Sequence, residues 1–138
     1  MLIKLDYFKY LLSPVILASH AYGLWLGGNH TWVGLGLLLG VLFFDAFLKP
    51  DYSVRDLTHA WIYDVIVSIT VLASFVNIFF YSWLVGIDHF ATTSSAVGAF
   101  VSTLFIGFVI AAPPVHELFH REGLFLRWLG RIGQCLVF

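Results

Sequence analysis

Long apolar stretches alternate with short polar ones along this 138-residue chain. Lipid offers backbone N–H and C=O groups no partner, so an apolar segment of about 17–25 residues crosses a membrane as a helix. About four segments of the chain qualify, at residues 10–26, 31–48, 60–87 and 95–112. The pattern therefore predicts an all-α integral membrane bundle of about four transmembrane helices.

The polar stretches between these segments are short. Gly27, Gly28 and Asn29 predict a tight turn that makes an antiparallel hairpin of the first two segments. The other two links are KPDYSVRDLTH at residues 49–59 and DHFATTS at residues 88–94. We expect a transmembrane bundle over residues 1–112 and a second region, with different chemistry, over residues 113–138.

Composition supports a membrane protein. Hydrophobic residues make up 60% of the chain and charged residues 11%, whereas soluble domains carry about 25% charged residues. The mean hydropathy is +0.92. The net charge is −1 and no basic patch is visible, so we expect membrane lipid as a partner and no nucleic acid.

The distribution of basic residues predicts the orientation. With an even number of spans, all seven basic residues fall on the side of the membrane that holds both ends of the chain: Lys4, Lys9, Lys49, Arg55, Arg121, Arg127 and Arg131. Basic residues concentrate in cytoplasmic loops. The sequence thus predicts that both termini are cytoplasmic, with the chain in an inner or plasma membrane.

The stretch PPVHELFHRE carries an HExxH pattern after the fourth apolar segment. The two prolines predict a kink or break, with Pro114 opening a new helical turn. If that turn is helical, His116 and His120 lie on one face, at a separation that lets two imidazoles share a metal ion. Glu117 is then a candidate general base, metal ligand or partner of a ligating imidazole.

Three interpretations of this pattern are open. The histidines form an incidental polar patch at the membrane interface, or they bind zinc in an intramembrane metalloprotease, or they bind iron in an oxygenase. Glu117 and Glu122 are the only glutamates of the chain, and both flank the pair, which disfavours an accident of composition. A zinc protease needs a third ligand, expected from a later helix that carries an aspartate, and no such helix follows in this sequence.

The segment HELFHR, preceded by about four predicted spans, resembles the first histidine box of the membrane-bound di-iron alkane 1-monooxygenase and fatty acid desaturase superfamily. The segment VLFFDAFLKPD is similar to the end of the second span in alkane hydroxylases. The resemblance implies a pair of non-haem irons that activate O₂ for hydroxylation or desaturation of an alkyl or acyl chain. It also implies an electron donor such as rubredoxin or ferredoxin.

The resemblance further implies that His116, His120 and Glu117 contribute to the iron site. Members of the superfamily take their other ligands from later boxes of the HxxHH type, and the sequence contains no such box. Of the remaining histidines, the predicted topology lets only His59 approach the site, and two irons need about four to six ligands each. We therefore expect the N-terminal portion of a larger enzyme, inactive by itself.

Several other polar and small residues have predicted roles. Asp45, Asp64 and His59 are candidates to hydrogen-bond to a metal-bound imidazole and hold its ring in place. The two carboxylates could equally be hydrated or paired with nearby basic side chains. Gly34, Gly36 and Gly40 permit close helix packing or form one wall of a channel. The segment 123–138 alternates apolar residues with arginines and predicts an amphipathic helix in the headgroup layer.

Overall fold

The computed structural model describes residues 10–48 and 60–137, and within those ranges the chain is helical with no strand. The predicted all-α class is therefore confirmed for the described residues. The helices are α1 (Leu12–Leu26), α2 (Val33–Phe47), α3 (Ala60–Gly86), α4 (Thr93–Ile106), α5 (Ala112–Phe119) and α6 (Leu124–Val137). A 3₁₀ turn, Gly28–Trp32, precedes α2, and a π-helical turn, Gly107–Ala111, joins α4 to α5.

Three helical segments among the described residues are long and apolar enough to cross a membrane: Gly28–Phe47, Trp61–Gly86 and Thr93–Phe119. The fourth predicted span corresponds to α1, which has 15 residues. At about 1.5 Å per residue, α1 is about 22 Å long, against about 30 Å for the hydrocarbon core of a bilayer. Three spans thus follow from length and composition, and a fourth remains a prediction.

Helix α1 packs against α2, α3 and α4. Its residues Leu17 and Leu24 are completely buried. Near its start, the ring of Tyr10 lies 4.8 Å from that of Tyr63 at the start of α3. Near its end, Trp25 stacks on His89, which follows α3, at 6.3 Å. The helices α1 and α3 therefore run in parallel, as two intervening reversals of direction require.

The predicted turn between the first two apolar segments is confirmed. Gly27 and Gly28 have φ values of 67° and 54°, in the left-handed region that favours glycine. The Gly27 N–H donates to the carbonyl oxygens of Gly23 and Leu24 and ends α1. The following turn docks on α4, where Ser102 Oγ donates to the Thr31 carbonyl oxygen at 2.8 Å.

The helix is not interrupted at the prolines, but a new α-helical segment, α5, begins there with both prolines in its first turn, as the sequence predicts for Pro114. The helical path continues from Thr93 to Phe119. Pro113 and Pro114 lie in the first turn of α5, directly after the π-helical turn. Proline removes a backbone donor and collides with the carbonyl oxygen four residues earlier, and the wider π-helical turn takes up that misfit without interrupting the helix.

Helix α6 packs on α5 through glycines. A Cβ atom on Gly130 would lie 2.6 Å from the Phe119 backbone nitrogen, and one on Gly133 would lie 2.7 Å from Val115 Cγ2. Only glycine allows this approach. The face of α6 turned away from the bundle is apolar, with exposed Leu124, Phe125, Trp128 and Ile132. A helix with an exposed apolar face is therefore present in this segment, and its location in the headgroup layer remains a prediction.

Candidate metal site

The two histidines of the HExxH pattern lie side by side at the end of α5. The Nε2 atoms of His116 and His120 are 3.3 Å apart, and their ring centroids are 4.7 Å apart. A metal ion bound to two imidazoles at about 2.0–2.1 Å with a tetrahedral angle holds their nitrogens about 3.3–3.4 Å apart. The helical spacing therefore yields a pair of nitrogens at the separation that one metal ion requires.

Burial of the opposite side of α5 makes the histidine pair accessible. Val115 and Leu118 are completely buried in a core cluster shared with α3 and α6. His116, one position after Val115, and His120, two positions after Leu118, point away from that core, and both histidines are exposed. The last backbone carbonyls of α5 add partial negative charge at this end of the helix, which favours a bound cation.

Arg121 connects Glu117 to α3. Its Nη2 atom lies 3.1 Å from Glu117 Oε1 and 3.0 Å from Asp64 Oδ1. The Asp64 contact is an ion pair without the alignment of a linear hydrogen bond. The guanidinium carbon also lies 5.5 Å from the centre of the Tyr63 ring. Arg121 therefore forms ion pairs with a carboxylate on α5 and with one on α3.

The candidate supporting residues lie in different places. Asp64 contacts Arg121, and neither carboxylate oxygen hydrogen-bonds to an imidazole within the described part of the chain. Asp45 is exposed near the end of α2 and makes no ion pair with a described residue. His59 lies outside the described residues. The link between Asp64 and Arg121 joins two helices far apart in sequence, so no local pattern signals it.

The described residues supply two adjacent imidazoles and a neighbouring carboxylate. Among residues 10–48 and 60–137, no group of three or more His, Cys, Asp or Glu side chains is arranged to hold a metal ion. An ion bound by the two histidines would keep open coordination positions, which water, Glu117 after release from Arg121, or ligands outside these ranges would fill. Such open positions are a feature of catalytic metal sites.

Two cavities border the site. One, of about 290 Å³, lies between α1, α3 and α5 and is lined by Glu117 together with two tyrosines, Tyr10 and Tyr63, and apolar residues that include Ile66 and Val109. The other, of about 460 Å³, is lined by His120 and polar neighbours. Buried side chains such as Ile66 and Val67 form part of the wall of the first, which also has polar lining residues. Sequence patterns did not indicate Tyr10 or Tyr63, because their positions depend on how α1 and α3 pack.

Comparison with family models, with curated proteins and with solved structures finds no match for this chain.

Proposed function

We propose that this chain carries part of the metal site of a membrane non-haem di-iron oxygenase that acts on alkyl or acyl chains in lipid or fatty acid metabolism. The observation that carries the proposal is the 3.3 Å separation of His116 Nε2 and His120 Nε2 at the end of a membrane-spanning helix. Bound iron would supply O₂ activation. The proposal covers hydroxylation, as in alkane 1-monooxygenases, and desaturation alike.

The residues of this chain bind and position in that proposal. His116 and His120 ligate iron, and Glu117 either completes the ligand set or orients it. Arg121 holds the Glu117 carboxylate at 3.1 Å and fixes its direction. Two histidines and one carboxylate are too few for two irons, so the remaining ligands come from outside the described residues, from His59 or from another segment.

The cavity beside Glu117 supports an apolar substrate. Its volume of about 290 Å³ is close to the lower end of small-molecule sites, about 300 Å³, and apolar side chains such as Ile66, Val67 and Ile110 form much of its wall. A substrate with a long hydrocarbon chain dissolves in the bilayer and would enter from there. An electron donor such as rubredoxin or ferredoxin would dock at the exposed end that carries the histidines.

The membrane arrangement that fits this function has α1 as a fourth, short span, both termini in the cytoplasm and an inner or plasma membrane location. Helix α6 then lies in the headgroup layer. Support comes from its exposed apolar face, in which Phe125 is 72% exposed and Trp128 59% exposed, and from Arg127 and Arg131 beside that face.

A zinc protease is the alternative chemistry for HExxH. In such enzymes the glutamate accepts a proton from metal-bound water. Here Arg121 Nη2 lies 3.1 Å from Glu117 Oε1, one of the two carboxylate oxygens, so this ion pair is compatible with either chemistry. The metal that the chain retains distinguishes the two.

Metal analysis of the full chain, isolated in its own membrane lipid without added metal, tests the proposal. We expect bound iron, and we expect His116→Ala and His120→Ala each to reduce its retention at least about 10-fold, since even groups that only orient metal ligands have effects of that size. His30 supplies the matched control, because it is exposed in the turn after α1, at the end of that helix opposite to the histidine pair. His30→Ala should leave iron retention unchanged.

Three results would count against the proposal. Zinc as the sole retained metal would support the protease interpretation. Equal metal retention in the variant that lacks both histidines would show that these histidines do not bind the metal. A stoichiometric di-iron centre bound by these residues alone would contradict the need for further ligands.

A further inference from the structure

Helix α6 presents an apolar face that no described residue covers. Its opposite side packs on α5, where Leu129 is buried and Gly130 and Gly133 lie against Phe119 and Val115. The outward side carries four large apolar residues that are each at least 50% exposed: Leu124, Phe125, Trp128 and Ile132. At 3.6 residues per turn these four residues form one stripe along the helix. An exposed apolar stripe of this kind marks a surface that contacts lipid or protein.

Two arginines lie along one edge of this stripe. Arg127 and Arg131 are four residues apart, so they are neighbours on the surface of the helix. Neither forms an ion pair with a described residue. The Arg131 guanidinium carbon lies 5.9 Å from the centre of the Trp128 ring, at the boundary between the charged edge and the apolar stripe. Two like charges one turn apart repel each other, so this edge favours an anion beside it.

The carboxylates at this end of the bundle do not neutralise the two arginines of α6. Asp64 and Glu117 lie 3.0 Å and 3.1 Å from Arg121 instead. Glu122, which precedes α6, is exposed and forms no ion pair with a described residue. The positive charge along the edge of α6 is therefore available to an anionic partner from outside the described part of the chain.

The length of the preceding helix indicates the depth of α6 in a membrane. The helical path from Thr93 to Phe119 has 27 residues. At about 1.5 Å per residue it is about 40 Å long, against about 30 Å for the hydrocarbon core of a bilayer. With Thr93 at one surface, the last turns of this path extend into the headgroups of the other surface. Gly130 lies against Phe119 in those turns, so the middle of α6 is at the headgroup level.

We propose that Arg127 and Arg131 bind the phosphate of an anionic phospholipid whose acyl chains lie against the apolar stripe of α6. The planar guanidinium group offers paired N–H donors that match phosphate oxygens. A zwitterionic phospholipid also carries a phosphate, but its ammonium group cancels the charge, so two unpaired guanidinium groups favour the anionic lipid. The negative surface potential of an anionic leaflet acts in the same direction.

A phospholipid fits this surface better than an acidic protein does. An acidic protein would pair with the arginines but would also have to cover a stripe in which Leu124 and Phe125 are 71% and 72% exposed. A phospholipid carries an anion next to hydrocarbon, as α6 carries arginines next to apolar side chains. The inference rests on the membrane arrangement proposed above, in which α6 lies in the headgroup layer. Lipid binding is measured without metal, so its failure and the failure of the iron site are distinguishable.

Quenching by lipid of a fluorescent label on Cys135 tests the proposal. Cys135 is exposed on α6, about one turn beyond Arg131 on the same side of the helix. The labelled full chain is reconstituted in equal amounts of phosphatidylcholine and phosphatidylglycerol, and only one of the two lipids carries a nitroxide quencher on its acyl chain. We expect stronger quenching when phosphatidylglycerol carries the nitroxide. Arg127→Gln and Arg131→Gln should each lower the apparent preference for phosphatidylglycerol by up to about 5-fold, and the variant with both changes should have no preference.

Arg121→Gln is the charge-matched control. It removes the same charge from the same end of the bundle, but its guanidinium faces Asp64 and Glu117, so the preference for phosphatidylglycerol should be unchanged. Equal quenching by the two lipids in the unmodified chain, or an undiminished preference in the variant that lacks both arginines of α6, would overturn the proposal. A label shielded from both lipids would also overturn it, because a second copy of the chain or an acidic protein would then cover the stripe.

Discussion

His20 shows how single residues determine the packing of this bundle. Its ring is completely buried, and its Nδ1 atom faces Gly34 on α2 closely enough that a Cβ at that position would lie 2.5 Å away. Gly36 and Gly40 belong to the same glycine-rich stretch of sequence, yet a Cβ added at either would meet no atom within 4 Å. One of the three glycines is therefore required by packing, and the other two are not.

Gly34→Ala should lower the melting temperature of the chain in bilayers. The added methyl group would lie 2.5 Å from His20 Nδ1 and 2.8 Å from Ile106 Cδ1, and overpacking of this kind costs about 1–3 kcal/mol. Gly36→Ala, on the same helix and facing open space, should be neutral or stabilising by up to about 1 kcal/mol, because alanine favours helix over glycine. Equal melting temperatures for the two variants would contradict the packing assigned to Gly34.

At the scale of elements, α5 is positioned from two sides. Arg121 ties its end to α3 through Asp64 at 3.0 Å, and α6 covers its apolar face at Gly130 and Gly133. These contacts determine which side of α5 faces outward. The histidine pair is therefore presented by tertiary contacts, while the spacing within the pair is a property of the helix itself.

Arg121→Gln should loosen α5 against α3. The side chain is about a third exposed, so loss of its ion pairs with Asp64 and Glu117 should cost only about 1 kcal/mol. We expect faster hydrogen exchange of the backbone amides from residue 115 to residue 121. Arg127→Gln removes a guanidinium that makes no ion pair with a described residue and should leave this exchange unchanged; a similar acceleration in both variants would argue against the role of Arg121.

At the scale of the whole molecule, the bundle has two chemically different ends. One end carries Tyr63, Asp64, Arg121 and the two histidines of α5, and the other carries Trp25 and His89, with His89 Nε2 3.0 Å from the Trp25 carbonyl oxygen. The charged groups of the described residues concentrate at the first end. This asymmetry is the structural counterpart of the charge bias along the chain, and it makes membrane orientation directly testable.

Cys135, the single cysteine of the chain, is exposed on α6 and serves as a built-in probe of orientation. A membrane-impermeant maleimide should label it from the cytoplasmic side only. In a Cys135→Ser background, Asn29→Cys in the turn between α1 and α2 should be labelled from the opposite side only. Three candidate spans lie between the two positions, Gly28–Phe47, Trp61–Gly86 and Thr93–Phe119, so labelling of both positions from one side would contradict three membrane crossings.

The prolines of α5 show how far a local sequence rule reaches. Two adjacent prolines after an apolar segment predict a change in the helix, because each removes a donor and crowds the carbonyl oxygen four residues before it. Such a change is present: a π-helical turn at Gly107–Ala111 ends α4, and α5 begins with both prolines in its first turn. The π-helical form of that turn, which keeps the helical path from Thr93 to Phe119 continuous, did not follow from the sequence.

The sequence by itself determined the features that depend on one segment at a time: the apolar helices, the glycine turn after α1, and the one-turn spacing of His116 and His120, because hydropathy and helical periodicity are local. The tertiary structure decided what required two segments to meet. The pairing of Asp64 with Arg121, the approach of α6 through Gly130 and the hydrogen bond between His20 and Thr103 arise between segments distant in sequence. Their partners depend on how the helices pack, which no local pattern encodes.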